Sequence, residues 1–274
     1  MINLSPILFS SQFTLPIPII TCTMKEIILQ KLAELEHSEN IKILYACESG
    51  SRAWGFASPD SDFDVRFIYS RNTNHYLSIA EMPDVVGLPV NEILDISGWD
   101  LKKALKLFLK SNGPLYEWLQ SPLVYSQDNA FAKDMRSLMK AYFSLRSGGN
   151  HYLSMATNTL RDDLLGDQVK LKRYFYALRP ALACRWIVEK QTVPPMEFEQ
   201  LRVLISDSEV QKSINNLLEQ KQMADEKAFI PPVTLLNEWL MNTLNLCKEQ
   251  VPLLQSDKKN SDELNEVFRK YIQP

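Results

Sequence analysis

The chain has 274 residues, 45% of them hydrophobic and 23% charged, the balance of a globular protein with one large or two modest well-filled cores. A formal net charge of −3 excludes a global electrostatic affinity for nucleic acid, so any such contact must come from a local patch of Lys and Arg. Eight glycines argue against a loop-rich β protein, three histidines supply a His-based metal site poorly, and Cys22, Cys47, Cys184 and Cys247 form no CxxC pair. Neither a zinc site nor a disulfide framework is suggested, and the thiols read as reduced and cytoplasmic.

Residues 1–23 carry no charge, and Pro6, Pro16 and Pro18 interrupt their apolar run. A secretory signal lacks its basic start here, and a membrane-spanning helix is broken by the prolines. The stretch is expected to be a disordered or misassigned extension, with the functional chain starting at Met24; the alternative is an extended arm on the first domain.

From 24 to 37, Ile27, Ile28, Leu32 and Leu35 recur at helical spacing. The apolar run 41–47 reads as a buried strand, followed by a Gly-Ser turn. A second strand covers 62–69, where charged and apolar residues alternate, and a third covers 85–96, broken at Pro89. Asp100 caps an amphipathic helix from Leu101 that ends near Asn112-Gly113-Pro114. Beyond Tyr125 the pattern is helical over 129–145, 151–165, 169–190, 197–205, 208–222 and 234–249. Breaks are expected at the Ser-Gly-Gly-Asn run 147–150 and at Val193-Pro194-Pro195, and a polar tail from Ser256 ends in a short helix. The fold class is α+β: a small mixed sheet with helices over 24–125, then an all-helical domain over 126–274.

The chemically informative segment is 48–69. A Gly-Ser turn leading from a strand into a short helix presents backbone N–H groups and the Ser51 hydroxyl, a natural phosphate cradle, and Gly50 lets a ligand approach its backbone. Asp62 and Asp64, two apart on a strand, point to one side with Arg66, while Phe63, Val65 and Phe67 point to the core. Paired carboxylates repel unless a cation lies between them. Oxygen ligands of this kind suit Mg²⁺, two ions of which would clamp an attacking hydroxyl and a leaving pyrophosphate, with Mn²⁺ as an alternative. An Asp pair can also merely protect a sheet edge, and Gly-Ser turns are common. The combination at this spacing is what carries weight.

That combination, Gly50-Ser51-Arg52-Ala53-Trp54-Gly55 followed by Asp60-Ser61-Asp62-Phe63-Asp64-Val65-Arg66, is similar to the G-S-x-x-x-G…D-x-D signature of DNA polymerase β-type nucleotidyltransferases. More narrowly, the chain from 24 to about 230 resembles the RlaP or YcgL-like family of predicted nucleotidyltransferases, associated with RNA repair. The further matching stretches are Asp95-Ile96-Ser97-Gly98-Trp99-Asp100-Leu101, Lys110-Ser111-Asn112, Glu117-Trp118-Leu119 with Ser121-Pro122, His151-Tyr152, and Lys172-Arg173-Tyr174-Phe175-Tyr176 with Leu178-Arg179-Pro180. Here Gly113 precedes Pro114 where the family tends to have proline at once.

The resemblance implies a catalytic domain at 24–125, a substrate- and nucleotide-binding helical domain at 126–274, and a third carboxylate on a neighbouring strand. Asp95 is the choice for it and Glu92 the rival, with Asp100 assigned to the helix cap. Asp62, Asp64 and Asp95 would hold the metal ions, with Asp95 also activating the acceptor, and Gly50 and Ser51 would hold the phosphates. Arg52 is expected on a phosphate. Arg66 either orients the carboxylates or forms a plain ion pair. Trp54 favours packing over base stacking. On the helix of the Lys172 segment, Leu171, Phe175, Leu178 and Leu182 form an apolar stripe, while Lys172, Tyr176 and Arg179 share another face. That face is either a wall of the nucleotide site or a solvated basic surface. Lys102, Lys103, Lys106 and Lys110 either track a polynucleotide or are solvated, and a basic groove from Lys102 toward Lys172 would favour RNA. His151 reads as structural; Trp118 and Trp186 read as core.

The expected reaction is transfer of a nucleoside monophosphate from an NTP to an acceptor hydroxyl with release of pyrophosphate, the acceptor being an RNA 3′ end. The alternatives are AMP transfer to a protein or small-molecule hydroxyl, and a non-catalytic nucleotide-binding regulatory module. No membrane partner is expected.

Overall fold

Thr23 opens the first helix with a reciprocal cap: its hydroxyl accepts the Glu26 N–H, and the Glu26 carboxylate accepts the Thr23 N–H. The computed structural model describes residues 23–80, 82–91, 93–223, 228–256 and 259–272. The expectation for the N-terminal extension, Thr23 apart, and the alternative third carboxylate Glu92 therefore lie outside the described residues.

Helix α1 (Met24–Glu39) leads into β1 (Lys42–Glu48), the short helix α2 (Gly50–Trp54), β2 (Phe63–Ser70), α3 (Thr73–Tyr76), β3 (Val85–Gly87), β4 (Leu94–Asp100), α4 (Leu101–Leu109), α5 (Gly113–Trp118) and β5 (Val124–Gln127). The strands form one five-stranded sheet in the order β3-β4-β2-β1-β5. β2 and β4 are parallel and the other neighbours antiparallel, so the sheet is mixed. The expected third strand is in fact two. Its second part runs past Ile96 to Asp100, because residues 94–100 pair in unbroken register with 63–69 and bury alternate side chains. Asp100 is both the last strand residue and the cap of α4, its carboxylate accepting the Lys102 N–H at 2.8 Å.

α1 covers one face of the sheet, with Ile28, Leu32 and Leu35 packed on Ile43, Val65, Phe67 and Ile96. The other face, with Leu44, Cys47 and Ile68, packs on Leu101, Leu105, Phe108 and Leu115. The same apolar cluster continues into α6 (Asn129–Tyr142), α7 (Leu145–Asp163), α8 (Leu171–Lys190), α9 (Phe198–Leu201), α10 (Ser208–Met223), α11 (Thr234–Gln250) and α12 (Asp262–Tyr271). The fold is thus α+β with a helical C-terminal half. The two halves share this core, β5 carries the sheet to Gln127, and α12 returns to pack on α4 and α6.

Two local expectations change. The Ser-Gly-Gly-Asn run lies inside α7, where Gly148 faces the Phe143 ring so closely that a Cβ would come within 2.3 Å of it. These glycines serve helix packing and not a break. Residues 169–170 leave the expected helix and form a ribbon, β6 (Val169–Lys170), with β7 (Phe229–Ile230). Among the described residues no helix is long and apolar enough to cross a membrane.

A buried carboxylate joins the halves. Glu117 on α5 accepts hydrogen bonds from Arg179 Nη1 (3.0 Å, α8), Tyr152 Oη (2.7 Å, α7) and Trp54 Nε1 (3.2 Å, α2). Arg179 and Glu117 side chains are only 3% and 8% exposed, so removing one partner strands the other charge in the core. Glu117→Ala is expected to cost about 3–5 kcal/mol of stability, and the paired change Glu117→Leu with Arg179→Met much less. Urea denaturation of the two variants and the native protein checks this; equal losses in the single and paired variants would refute the charge argument.

Candidate active site

The site grows from the end of β1. Glu48 is its last residue, and Gly50 opens α2 with φ +59°, a left-handed conformation that favours glycine. A Cβ at Gly50 would lie 2.0 Å from Asp64 Oδ2, so the Asp64 carboxylate rests directly on the bare Gly50 backbone. The Ser49 N–H donates to the Asp64 carbonyl at 2.8 Å, fastening the start of β2 to the turn. Ser51 is buried beside it.

Asp64 and Asp95 are register partners on the parallel strands β2 and β4. Arg66 Nη2 lies between their carboxylates, 3.2 Å from Asp64 Oδ1 and 2.7 Å from Asp95 Oδ2, and Nη1 donates to the Asp95 carbonyl at 3.1 Å. The three side chains are 20–26% exposed, so the charges balance where solvent screens them only in part.

Gly50, Asp64, Arg66 and Asp95 are therefore brought together, with Ser51 next to them. Asp62 stands differently from its expected place: β2 begins at Phe63, and Asp62 is an exposed loop residue just before it. Arg52, expected on a phosphate, turns back onto this loop. Its Nε donates to the Asp62 carbonyl at 3.0 Å and its Nη2 to the Ser61 carbonyl at 2.5 Å, while the guanidinium lies 3.8 Å from the centre of the Phe63 ring. It holds the backbone that presents Asp62.

The face expected on α8 is divided. Tyr176 is exposed and meets the Trp54 ring edge-on at 5.7 Å, and Lys172 is half-buried one turn earlier. Arg179 points into the protein, since α8 is enclosed on most sides and the guanidinium finds Glu117, the Met196 carbonyl (3.0 Å) and the Trp54 ring (4.6 Å). It braces the turn from behind and does not form an open wall. Trp54 is a packing residue in this arrangement. Lys102, Lys103 and Lys106 line a cleft of about 360 Å³ together with Asp84 and Asp100, beyond the end of β4 remote from Asp95; Lys172 does not line it.

Two contributors carried no motif. Glu48 is fully buried, its Oε1 accepting the Asp64 N–H at 2.7 Å and its Oε2 the Tyr125 hydroxyl. Burial pushes its carboxyl above the ordinary value, the nearby Asp64 charge adds to the rise, and the two hydrogen bonds oppose it. An acid closing an otherwise apolar strand, directly before the Gly-Ser turn, is the sequence signal that could have marked it. Lys221 on α10 is 4% exposed and donates to Ser58 Oγ at 3.0 Å, and Ser58 Oγ lies 3.0 Å from Ser61 Oγ. The loop before Asp62 is thereby fixed to the helical half.

As donors for a divalent ion, Asp62, Asp64 and Asp95 offer the hard oxygens that Mg²⁺ prefers, and Asp64 Oδ2 faces the Gly50 backbone and not Arg66. The described residues contain no group of three acidic, His or Cys side chains gathered tightly enough to form a metal cage. The acids fit the ion by chemistry, and an ion at Asp64 and Asp95 would share or take over the charge balance that Arg66 provides.

Two outcomes test this geometry. Gly50→Ala is expected to lower stability by roughly 1–3 kcal/mol, through left-handed strain and displacement of Asp64; an unchanged melting temperature would refute the contact. For Glu48, a folded-state pKa raised above the unfolded value of about 4.3 gives stability that is fully present below that value and is lost as pH rises through the folded one. Glu48→Gln is therefore expected to gain on the native protein as pH rises from acid to neutral. Thermal melts across that range check it, and a difference independent of pH would contradict it.

A family model described as "RNA repair pathway DNA polymerase beta family" matches residues 24–270. The chain is similar to the protein named "Uncharacterized protein YcgL" of Bacillus subtilis (strain 168), 41% identical over 247 residues that cover 89% of this chain and 95% of that one. It is also similar to the crystal structure of a nucleotidyltransferase-like protein from Exiguobacterium sibiricum 255-15, 14% identical, with 89% of this chain and 80% of that chain covered and a TM-score of 0.31, a likeness too distant to carry an argument. By the span of the family match and the identity to its relative, the chain belongs to the RlaP family.

Proposed function

We propose that the protein is a nucleotidyltransferase that moves a nucleoside monophosphate from an NTP to an acceptor hydroxyl, with an RNA 3′ end as the acceptor. The observation that carries this reading is the seating of Asp64 against Gly50 of the Gly-Ser turn, with Asp95 beside it on the parallel strand. A phosphate group taken up by the turn would meet these carboxylates directly.

In this mechanism the backbone N–H groups of the Gly50-Ser51 turn and the Ser51 hydroxyl receive the triphosphate beside the Asp64 carboxylate. Asp62, Asp64 and Asp95 would hold two Mg²⁺ ions, or Mn²⁺, which would supply Lewis-acid stabilisation of the charge that develops during transfer. Asp95 accepts the proton of the acceptor hydroxyl. The new acceptor O–P bond forms as the bond between the α-phosphorus and the bridging oxygen breaks, and pyrophosphate leaves with that electron pair. Arg66 keeps Asp64 and Asp95 aligned and remains beside them as a counter-charge. Lys172 and Tyr176 would approach the nucleotide from the helical half, a reading supported by the contact of Tyr176 with Trp54 of α2.

Incubation with each labelled NTP, Mg²⁺ and pools of RNA, protein and small-molecule acceptors tests the proposal. Label is expected in RNA, and Asp64→Asn is expected to reduce transfer at least about a hundredfold while the protein stays folded, since charge is lost and volume kept. Label in protein or a small molecule would replace RNA as the acceptor. Nucleotide binding without transfer would leave a regulatory module, and full activity in Asp64→Asn would end the assignment.

A further inference from the structure

A groove separate from the carboxylate site runs between α6 and the segment after α8. Two clefts of about 550 Å³ and 180 Å³ lie side by side, with Lys140, Thr192 and Val193 lining both. Among the described residues that line this groove there is no Asp or Glu, although the chain as a whole is negatively charged. Its cations are Arg136, Lys140 and Lys259, and its other polar side chains include Gln120, Ser121 and Thr192. Arg136 and Lys140 lie one turn apart on α6, about 6 Å along the axis, comparable to the step between consecutive phosphates of a single strand.

Both walls are tied to the site through hydrogen bonds. On one, Ser121 Oγ donates to the Glu48 carbonyl at 2.6 Å, and the Glu48 carboxylate accepts the Asp64 N–H at 2.7 Å. On the other, the segment that carries Thr192 and Val193 continues to Met196, whose carbonyl binds Arg179 at 3.0 Å beneath the Trp54 ring. Gln120 links the walls through a 3.2 Å hydrogen bond to the Pro194 carbonyl.

We infer that this groove binds the single-stranded RNA acceptor and leads its end toward Asp64 and Asp95. The direction of travel rests on the nucleotidyl-transfer reading; binding in the groove does not. A polynucleotide fits better than an acidic peptide, because the groove offers two cations one helical turn apart, the Thr192 hydroxyl as a donor for phosphate or 2′-hydroxyl groups, and apolar floor from Leu119, Met139 and Val193 for base faces. The cleft at Lys102 and Lys103 fits less well, since Asp84 and Asp100 line it too.

The test is fluorescence anisotropy of a short labelled single-stranded RNA on the full chain across a salt series, with Mg²⁺-NTP titrated separately. Lys140→Glu is expected to weaken RNA binding on the order of tenfold and to flatten the salt slope by about one, with NTP affinity unchanged; Lys102→Glu is expected to change neither. RNA affinity equal in Lys140→Glu and native protein overturns the groove, as does RNA affinity lost equally in Lys102→Glu. Polyglutamate that displaces RNA at equal charge and depends on Lys140 in the same way would assign the groove to an acidic protein and overturn it also. RNA binding that depends on Lys140 without NTP binding would leave the groove standing and remove the transferase reading. NTP transfer without RNA affinity would do the reverse.

Discussion

Parallel pairing of β2 with β4 places Asp64 directly beside Asp95, and much of the site follows from that register. Two carboxylates on neighbouring strands about 4.8 Å apart repel by roughly 3–4 kcal/mol at the effective dielectric of a protein surface, before any counter-charge is counted. Arg66, two residues along the same face of β2, supplies the cation and reaches both. On the far side of Asp64, only a residue without a side chain can occupy position 50, because the carboxylate already fills the place a Cβ would take. The glycine, the arginine and the second aspartate are thus three answers to one placement of charge.

The helical half secures this placement from behind. Phe56, just after the turn, lies between Phe175 (ring centres 5.1 Å apart) and Phe198 (5.6 Å), and Trp54 is held by Glu117 and Arg179. The loop that carries Asp62 is fastened twice, by Arg52 at its backbone and by Lys221 through Ser58 and Ser61. Asp62 can thereby be exposed for a ligand while the chain that presents it has little freedom. The shared core of the two halves has the same consequence: the turn cannot shift without disturbing α8.

The alternation of Phe63, Val65 and Phe67 with Asp64 and Arg66 made the faces of β2 legible, because side-chain direction in a strand depends only on the period of the backbone. The capping role of Asp100 and the mixed sheet were legible for similar local reasons. Partners were not. Lys172, Tyr176 and Arg179 share a helical face in projection, yet Arg179 is buried because a carboxylate 62 residues away in sequence waits for it on α5. Arg52 lies beside Ser51 in sequence, and its direction is set by carbonyls of a loop whose path no periodicity describes. Glu48 belongs to the same class: an acid at the end of an apolar strand is visible, but its hydrogen bonds to Tyr125 and to the Asp64 backbone depend on which strand becomes the edge of the sheet.

The distribution of charge gives these local facts a common sense. A site built from carboxylates repels the phosphate-bearing molecules it would act on, and a chain of net charge −3 adds to that repulsion. At physiological ionic strength such fields fade over about 8 Å, so only cations close to the path of the substrate can offset them. Arg66 is within that range of Asp64 and Asp95, and Ser121, at one end of the acid-free groove, is one hydrogen bond from the Glu48 backbone. A protein that is acidic on average can therefore still offer a polyanion a favourable surface, provided that lysines and arginines are gathered in one groove and the acids are kept to the point where a divalent cation would balance them.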